Sequence, residues 1–349
     1  VPHCANTVDE LQRYAPEVAE PDDFDEFWRD TLAEAAAAPV LVDVRPEPTD
    51  LPLLDSWDVT FAGFGGDPVR AWYTRPAGVR EPLPAVVEYA GYGRGRGLPH
   101  ERLTWPVAGY AHLLMDNRGQ AGQYGAGDTP DPHGAPGGPA PVTWGVLDPR
   151  TYHYRRLITD AVRAVAAVRA LPGVDGDQVS VVGNSQGGGL ALAVAGLVDD
   201  LSAVLTTAPF LCDMRRSVAL TDLAPYGEIA RYLAVHREAE EAVWRTLSYV
   251  DGVSFARRAT APAHFGVGRR DTVCPPRTAF AAYNHYGAAN GRPVPPEREM
   301  HVYPFNGHEG GEAVHVRRQL RWLGSVLRPA RYRRAHPLVD RTPRRAPTP

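Results

Sequence analysis

Gly183-Asn184-Ser185-Gln186-Gly187 constrains this chain more than any other stretch. It is a G-x-S-x-G pentapeptide between two apolar runs. Val179-Ser180-Val181-Val182 precedes it and reads as a strand, and Gly188-Gly189-Leu190-Ala191-Leu192-Ala193-Val194-Ala195 follows it and reads as a buried helix. The strand must become a helix within about five residues, which only a sharp turn allows. Such a turn strains the backbone of its central serine. Residues two before and two after must be small, and Gly183 and Gly187 meet that demand. The serine hydroxyl then projects from the end of a sheet at the start of a helix.

Around this elbow, apolar β-branched runs alternate with helical periodicity. Trp57–Phe61 and Val69–Tyr73, separated by Gly63, Gly65, Gly66 and Pro68, read as an antiparallel hairpin. Ala85–Tyr89, His112–Asp116, Ala203–Thr207, His264–Val267 and Glu299–Tyr303 read as further strands. Tyr154–Ala170, Gly187–Val198, Thr278–Tyr286 and Glu309–Leu327 read as the helices between and after them. The pattern predicts an α/β fold with a mostly parallel sheet covered on both faces. Residues 1–50 read as an N-terminal extension holding a helix capped by Asp22-Asp23, with Phe24, Phe27, Trp28, Leu32 and Ala35 on one face. Residues 1–327 are expected to be a single domain. Two stretches break the alternation: 119–149, rich in glycine and proline, and 213–250, where helices Tyr226–His236 and Glu238–Leu247 form an insertion between strands. Residues 328–349 carry seven arginines among prolines and read as a disordered tail.

Composition narrows the function by exclusion. A formal net charge of −4 argues against a nucleic-acid binder, which needs a basic face. No apolar run is long enough to cross a membrane, and no basic start leads into an apolar segment, so neither a span nor a secretory signal is expected. Cys4, Cys212 and Cys274 make neither a disulfide framework nor a zinc pattern, which fits a reducing, cytoplasmic setting. Lysine is absent; arginine carries the whole basic count of 37. That excludes Schiff-base chemistry, a Walker-type phosphate loop and a Ser-Lys dyad. No cofactor is expected. The run from Gly91 fails the dinucleotide fingerprint at Arg96, and His308-Glu309 fails the zinc-protease pattern at Glu312.

A serine near neutral pH needs a base, and the base needs an orienting acid. Behind such an elbow the chain order is Ser, then Asp or Glu, then His. Asp271 sits in the loop Gly268–Pro276 past a late strand, and His308 sits in Phe305-Asn306-Gly307-His308-Glu309 after the last strand. Of the twelve histidines, His264 and His301 fall within strands, His315 within the final helix, and His3 and His336 near the ends. Glu309 is a rival acid. Donors for the oxyanion are expected from the Gln186 N–H and from the loop Ala90-Gly91-Tyr92-Gly93, with Tyr92 N–H the choice.

Arg118-Gly119-Gln120, Gly183–Gly188 and His308-Glu309 together resemble the three signature motifs of carbohydrate esterase family seven, the acetyl xylan esterases and cephalosporin C deacetylases. Leu147–Tyr152, Thr246–Tyr249 and Ala279–Asn284 are also similar to that family, so the resemblance covers roughly residues 8–327. It implies an α/β-hydrolase that deacetylates short substrates: acetylated xylo-oligosaccharides, other acetylated sugars and cephalosporin C. By motif it implies Ser185 as nucleophile, Asp271 as acid, His308 as base, and Tyr92 with Gln186 as oxyanion hole. Arg118 and Gln120 are implied to brace the elbow; Phe210, Pro225 and Val273, by resemblance and position, to narrow the acyl pocket. A ring-shaped hexamer is implied, with 119–149 as an interface element. Ala90, Asn184 and Arg277 depart from the family pattern, and Arg277 is expected to place a positive charge near Asp271. A broader carboxylesterase or thioesterase, a serine peptidase and a scaffold without catalysis remain alternatives.

Overall fold

The computed structural model describes residues 7–122, 125–134 and 140–327. The arginine-rich tail and Cys4 lie outside the described residues. In chain order the elements are α1 (Val8–Gln12), α2 (Phe24–Ala36), β1 (Leu41–Pro46), β2 (Leu54–Ala62), β3 (Pro68–Pro76), β4 (Leu83–Tyr89), α3 (Thr104–Val107), β5 (Ala111–Met115), α4 (His153–Ala170), β6 (Val174–Asn184) and α5 (Gln186–Leu197). They continue with β7 (Ala203–Thr207), α6 (Met214–Leu220), α7 (Tyr226–Val235), α8 (Glu240–Ser248), α9 (Gly252–Arg258), β8 (Ala263–Gly268), α10 (Pro276–His285), β9 (Arg298–Tyr303) and α11 (Glu312–Val326).

All nine strands form one sheet in the order β1-β2-β3-β5-β4-β6-β7-β8-β9. The β1–β2, β2–β3 and β3–β5 pairings are antiparallel, and every pairing from β5 through β4 to β9 is parallel. The chain leaves β4 toward β5 and returns to place β6 on β4's other side. Strand order therefore reverses at the β4–β6 seam. In open parallel sheets the crevice at the carboxyl end of such a seam is where ligands bind.

The core follows from residue type. Strands β4, β6, β7 and β8 are apolar runs because helices cover both faces. Helix α5 is apolar all round, and Gln186 through Ala195 are all buried, so it packs in the interior. Helix α4 has an apolar stripe through Leu157, Ala161, Val165 and Val168, as its spacing predicts. Helix α2 is held by Phe24 and Trp28, both 1% exposed, through a tilted and an edge-on contact, respectively, with Phe255 on α9.

Three local readings change. β1 lies within the expected N-terminal extension and adds an edge strand to the hairpin. Asp23 precedes α2 without a capping hydrogen bond; its carboxylate accepts from the Tyr249 hydroxyl at 2.6 Å. Helix α11 begins at Glu312 rather than Glu309, because Gly310 (φ 54°) and Gly311 (φ 88°) hold left-handed conformations that end the preceding loop. The 213–250 stretch forms α6, α7 and α8 between β7 and β8.

Three buried histidines set an acid limit on this fold. Burial pushes His153 down to about 4, His264 to about 3 and His315 to about 4. Unfolding returns each toward an ordinary value of about 6.5. A depressed folded value means the full contribution is present above about pH 6.5 and is lost as pH falls toward the folded values. Each histidine should remove about 1.4 kcal/mol per pH unit in that window. Urea midpoints measured from pH 7 to 4.5 should fall steadily; a flat or rising midpoint would contradict the assignment.

Candidate active site

The elbow takes the strained form expected of it. Ser185 sits between β6 and α5 at φ 58°, ψ −121°, a left-handed φ that a side chain rarely adopts. Three backbone bonds hold it there. Ser185 N–H donates to Thr207 O at 2.9 Å, and Ser185 O accepts from Gly189 and Phe210 N–H, both at 3.0 Å. A Cβ on Gly183 would stand 2.1 Å from the Gly187 backbone, and one on Gly187 would stand 2.0 Å from Tyr89 O. Both glycines are required because strand, turn and neighbouring strand approach too closely for a methyl group.

Asp271 follows β8, and His308 follows β9, so the expected acid and base come from carboxyl ends of adjacent strands. His308 Nδ1 is 2.8 Å from Asp271 Oδ2. Asp271 is 1% exposed, and its Oδ1 accepts from Val273 N–H at 2.8 Å and Cys274 N–H at 2.9 Å. Those bonds leave Oδ2 aimed at the histidine. Glu309, the rival acid, turns into its own loop and accepts from Gly307 N–H at 3.0 Å and Asn306 Nδ2 at 2.9 Å.

Ser185, His308, Tyr92, Pro225 and Val273 line one cavity of about 820 Å³ at the β4–β6 seam. The cavity continues over the α3 and α11 side of the sheet past Glu88, Arg94, Arg102, Glu309 and Gln319. Its walls beyond the serine are therefore mixed in charge and rich in hydrogen-bonding groups. Phe210 is not among the lining residues. It is fully buried, and its ring packs against Tyr92, Tyr154 and Tyr226 at centroid distances of 6.3, 6.0 and 4.6 Å. It supports the cavity wall from behind, with its ring against that of Tyr92.

The two expected oxyanion donors are fixed by one amide. Gln186 is the first residue of α5, so its N–H is one of the helix's unpaired donors. Its side-chain oxygen accepts from Tyr154 OH at 2.6 Å and from Gln120 Nε2 at 3.0 Å. Gln120 Oε1 accepts from Gly93 N–H at 2.9 Å, next to Tyr92. Gln120 thus ties the loop after β4 to the start of α5. Its Nε2 also reaches His153 Nε2 at 3.1 Å, while His153 Nδ1 lies 3.0 Å from Asp131. The Tyr92 hydroxyl donates to Glu228 on α7 at 2.7 Å and accepts from Val142 N–H at 3.2 Å. Burial, then the Glu228 contact, pushes that phenol far above its ordinary range.

Arg118 stands one layer further away. It is fully buried and binds Asp160 through Nε at 2.5 Å and Nη2 at 2.8 Å, Asp67 at 3.0 Å and Asp131 at 3.4 Å. It pins the 119–149 stretch and α4 together and reaches the elbow only through His153 and Gln120. Arg277 makes no ion pair with Asp271 among the described residues; its guanidinium lies 4.0 Å over the Tyr14 ring. Ala90 is buried and Asn184 is exposed at the cavity rim.

The sequence reading did not single out Cys274 or Glu228. Burial holds the Cys274 thiol well above its ordinary range. Cys274 stands three residues past Asp271, a spacing that carried the only hint. Nothing local marked Glu228.

A family model described as acetyl xylan esterase (AXE1) matches residues 3–326. An acetyl xylan esterase from Paenibacillus sp. R4 is 38% identical, with a TM-score of 0.84; the match covers 92% of this chain and 100% of that one. Acetyl xylan esterase 1 from Thermoanaerobacterium sp. JW/SL YS485 is 29% identical, with a TM-score of 0.81, covering 92% and 99%. The acetyl esterase Axe7A of Xylanibacter ruminicola is 28% identical over 311 residues, which are 84% of this chain; the chain spans 64% of that relative's length.

Proposed function

Because the chain belongs to the acetyl xylan esterase family, we propose that it hydrolyses acetyl esters of small carbohydrates through Ser185, His308 and Asp271. The observation that carries this is the 2.8 Å contact of His308 with Asp271, in the cavity that also holds the strained Ser185. The proton between Nδ1 and Asp271 leaves Nε2 with its lone pair toward the cavity. The Ser185 hydroxyl gives up its proton to that nitrogen as its oxygen attacks the acetyl carbonyl. The oxyanion falls to the N–H groups of Gln186 and Tyr92, whose positions Gln120 fixes. His308 then protonates the departing alcohol, and water repeats the sequence on the acetyl-enzyme. Pro225 and Val273 give the cavity apolar wall for an acetyl group, and its polar extension suits a hydroxyl-rich alcohol.

Acetylated xylo-oligosaccharides and cephalosporin C both present such an ester. A hexameric assembly in the cytoplasm is the setting this reading carries with it. The test is a chain-length series: p-nitrophenyl acetate, butyrate and octanoate. Turnover should fall steeply beyond acetate, and acetylated xylo-oligosaccharides should then release acetate. Comparable rates on octanoate would replace this reading with a broad carboxylesterase.

A further inference from the structure

The strand histidines that the catalytic search set aside form a cluster of their own. In the parallel register of β8 and β9, His264 lies opposite Glu299, and His301 follows two residues later on the same face. The ligand atoms of these three side chains all lie within 4.8 Å of one another. His264 is fully buried, and both of its ring nitrogens lack a hydrogen-bond partner. A buried imidazole with two orphaned nitrogens is costly unless something binds it. Its ring makes tilted contacts with His301 at 4.6 Å, His315 at 5.0 Å and Trp322 of α11 at 5.3 Å. Gly266 makes room, since a Cβ there would meet the His315 ring at 2.3 Å.

We propose that His264, Glu299 and His301 form a binding site for a borderline divalent transition-metal ion of the zinc type. Two imidazoles and one carboxylate are the donor set such an ion takes, with water completing a tetrahedron. Glu299 and His301 are only partly covered, so the ion and its water have a path from solvent. None of the three residues lines the proposed catalytic cavity, and His315, whose ring neighbours His264, stands between the two sites and lines it.

One contact opposes binding and sharpens the test. Arg318 Nη1 donates to His301 Nδ1 at 2.7 Å, which places the ring proton on Nε2, 2.9 Å from Glu299. Ligation through Nε2 moves that proton to Nδ1, and the guanidinium must swing away. A glutamine at 318 removes the positive charge and offers a carbonyl to Nδ1–H, the support that metal-bound histidines usually receive.

The experiment uses the untagged chain, stripped with chelator and titrated with zinc chloride by calorimetry, and with cobalt(II) by visible absorption. One zinc per chain is expected, with cobalt bands of a tetrahedral site. Glu299→Gln and His301→Gln, at partly exposed positions, should each weaken binding by at least about 10-fold with an unchanged circular dichroism spectrum. Arg318→Gln should tighten it. Absence of zinc binding, full-strength binding in both ligand variants, or weaker binding in Arg318→Gln would each overturn the proposal.

Discussion

Replacing Ser185 by alanine should lower kcat on p-nitrophenyl acetate by about 10⁶-fold, the loss typical when a serine nucleophile is removed. The loss should appear without unfolding. Alanine and serine meet the same steric penalty at φ 58°, and the three bonds that hold the elbow are made by backbone atoms. Thermal melting within a few degrees of the parent, together with the collapse of turnover, is the expected pair of results. A variant that turns over at the parent's rate would remove Ser185 from the chemistry and leave the strained elbow without a function.

Asp271→Asn should cost about 10⁴-fold in kcat, with little change in KM. The reason is geometric. Asp271 Oδ1 accepts from Val273 and Cys274 N–H, so an asparagine will keep its carbonyl oxygen there. Its NH₂ group is then forced toward His308 Nδ1, where the carboxylate Oδ2 had accepted. The imidazole responds by carrying its proton on Nε2, the wrong nitrogen to take one from Ser185. Raising pH should not restore activity, because the fault lies in the tautomer. Glu309→Gln serves as the control: Glu309 bonds to Gly307 and Asn306, so activity should stay within a few-fold of the parent. Asp271→Asn activity within tenfold of the parent would leave Asp271 as a structural turn residue.

The elbow was legible because all its requirements are local. Strand, turn, serine and helix are contiguous, and the glycines at 183 and 187 announce the close approach in advance. Asp271 and His308 were legible by chain order and loop setting, since parallel strands deliver their loops to one edge. Phe210 and β1 were misread for a different reason. The Phe210 ring is placed by packing against Tyr92, Tyr154 and Tyr226, which come from three other parts of the chain. β1 has the alternation of an edge strand but lies among prolines, so only its pairing with β2 reveals it.

By itself, then, the sequence determined the alternating architecture, the strained serine and the order of the groups around it, because short-range sterics and hydrophobic periodicity act between near neighbours. The tertiary structure alone decided which amide links the loop after β4 to the start of α5, which acid His308 meets, and that His264, Glu299 and His301 share one face. Those are contacts between residues far apart in the chain. They depend on strand register and side-chain direction, which packing sets and which no local pattern of residues encodes.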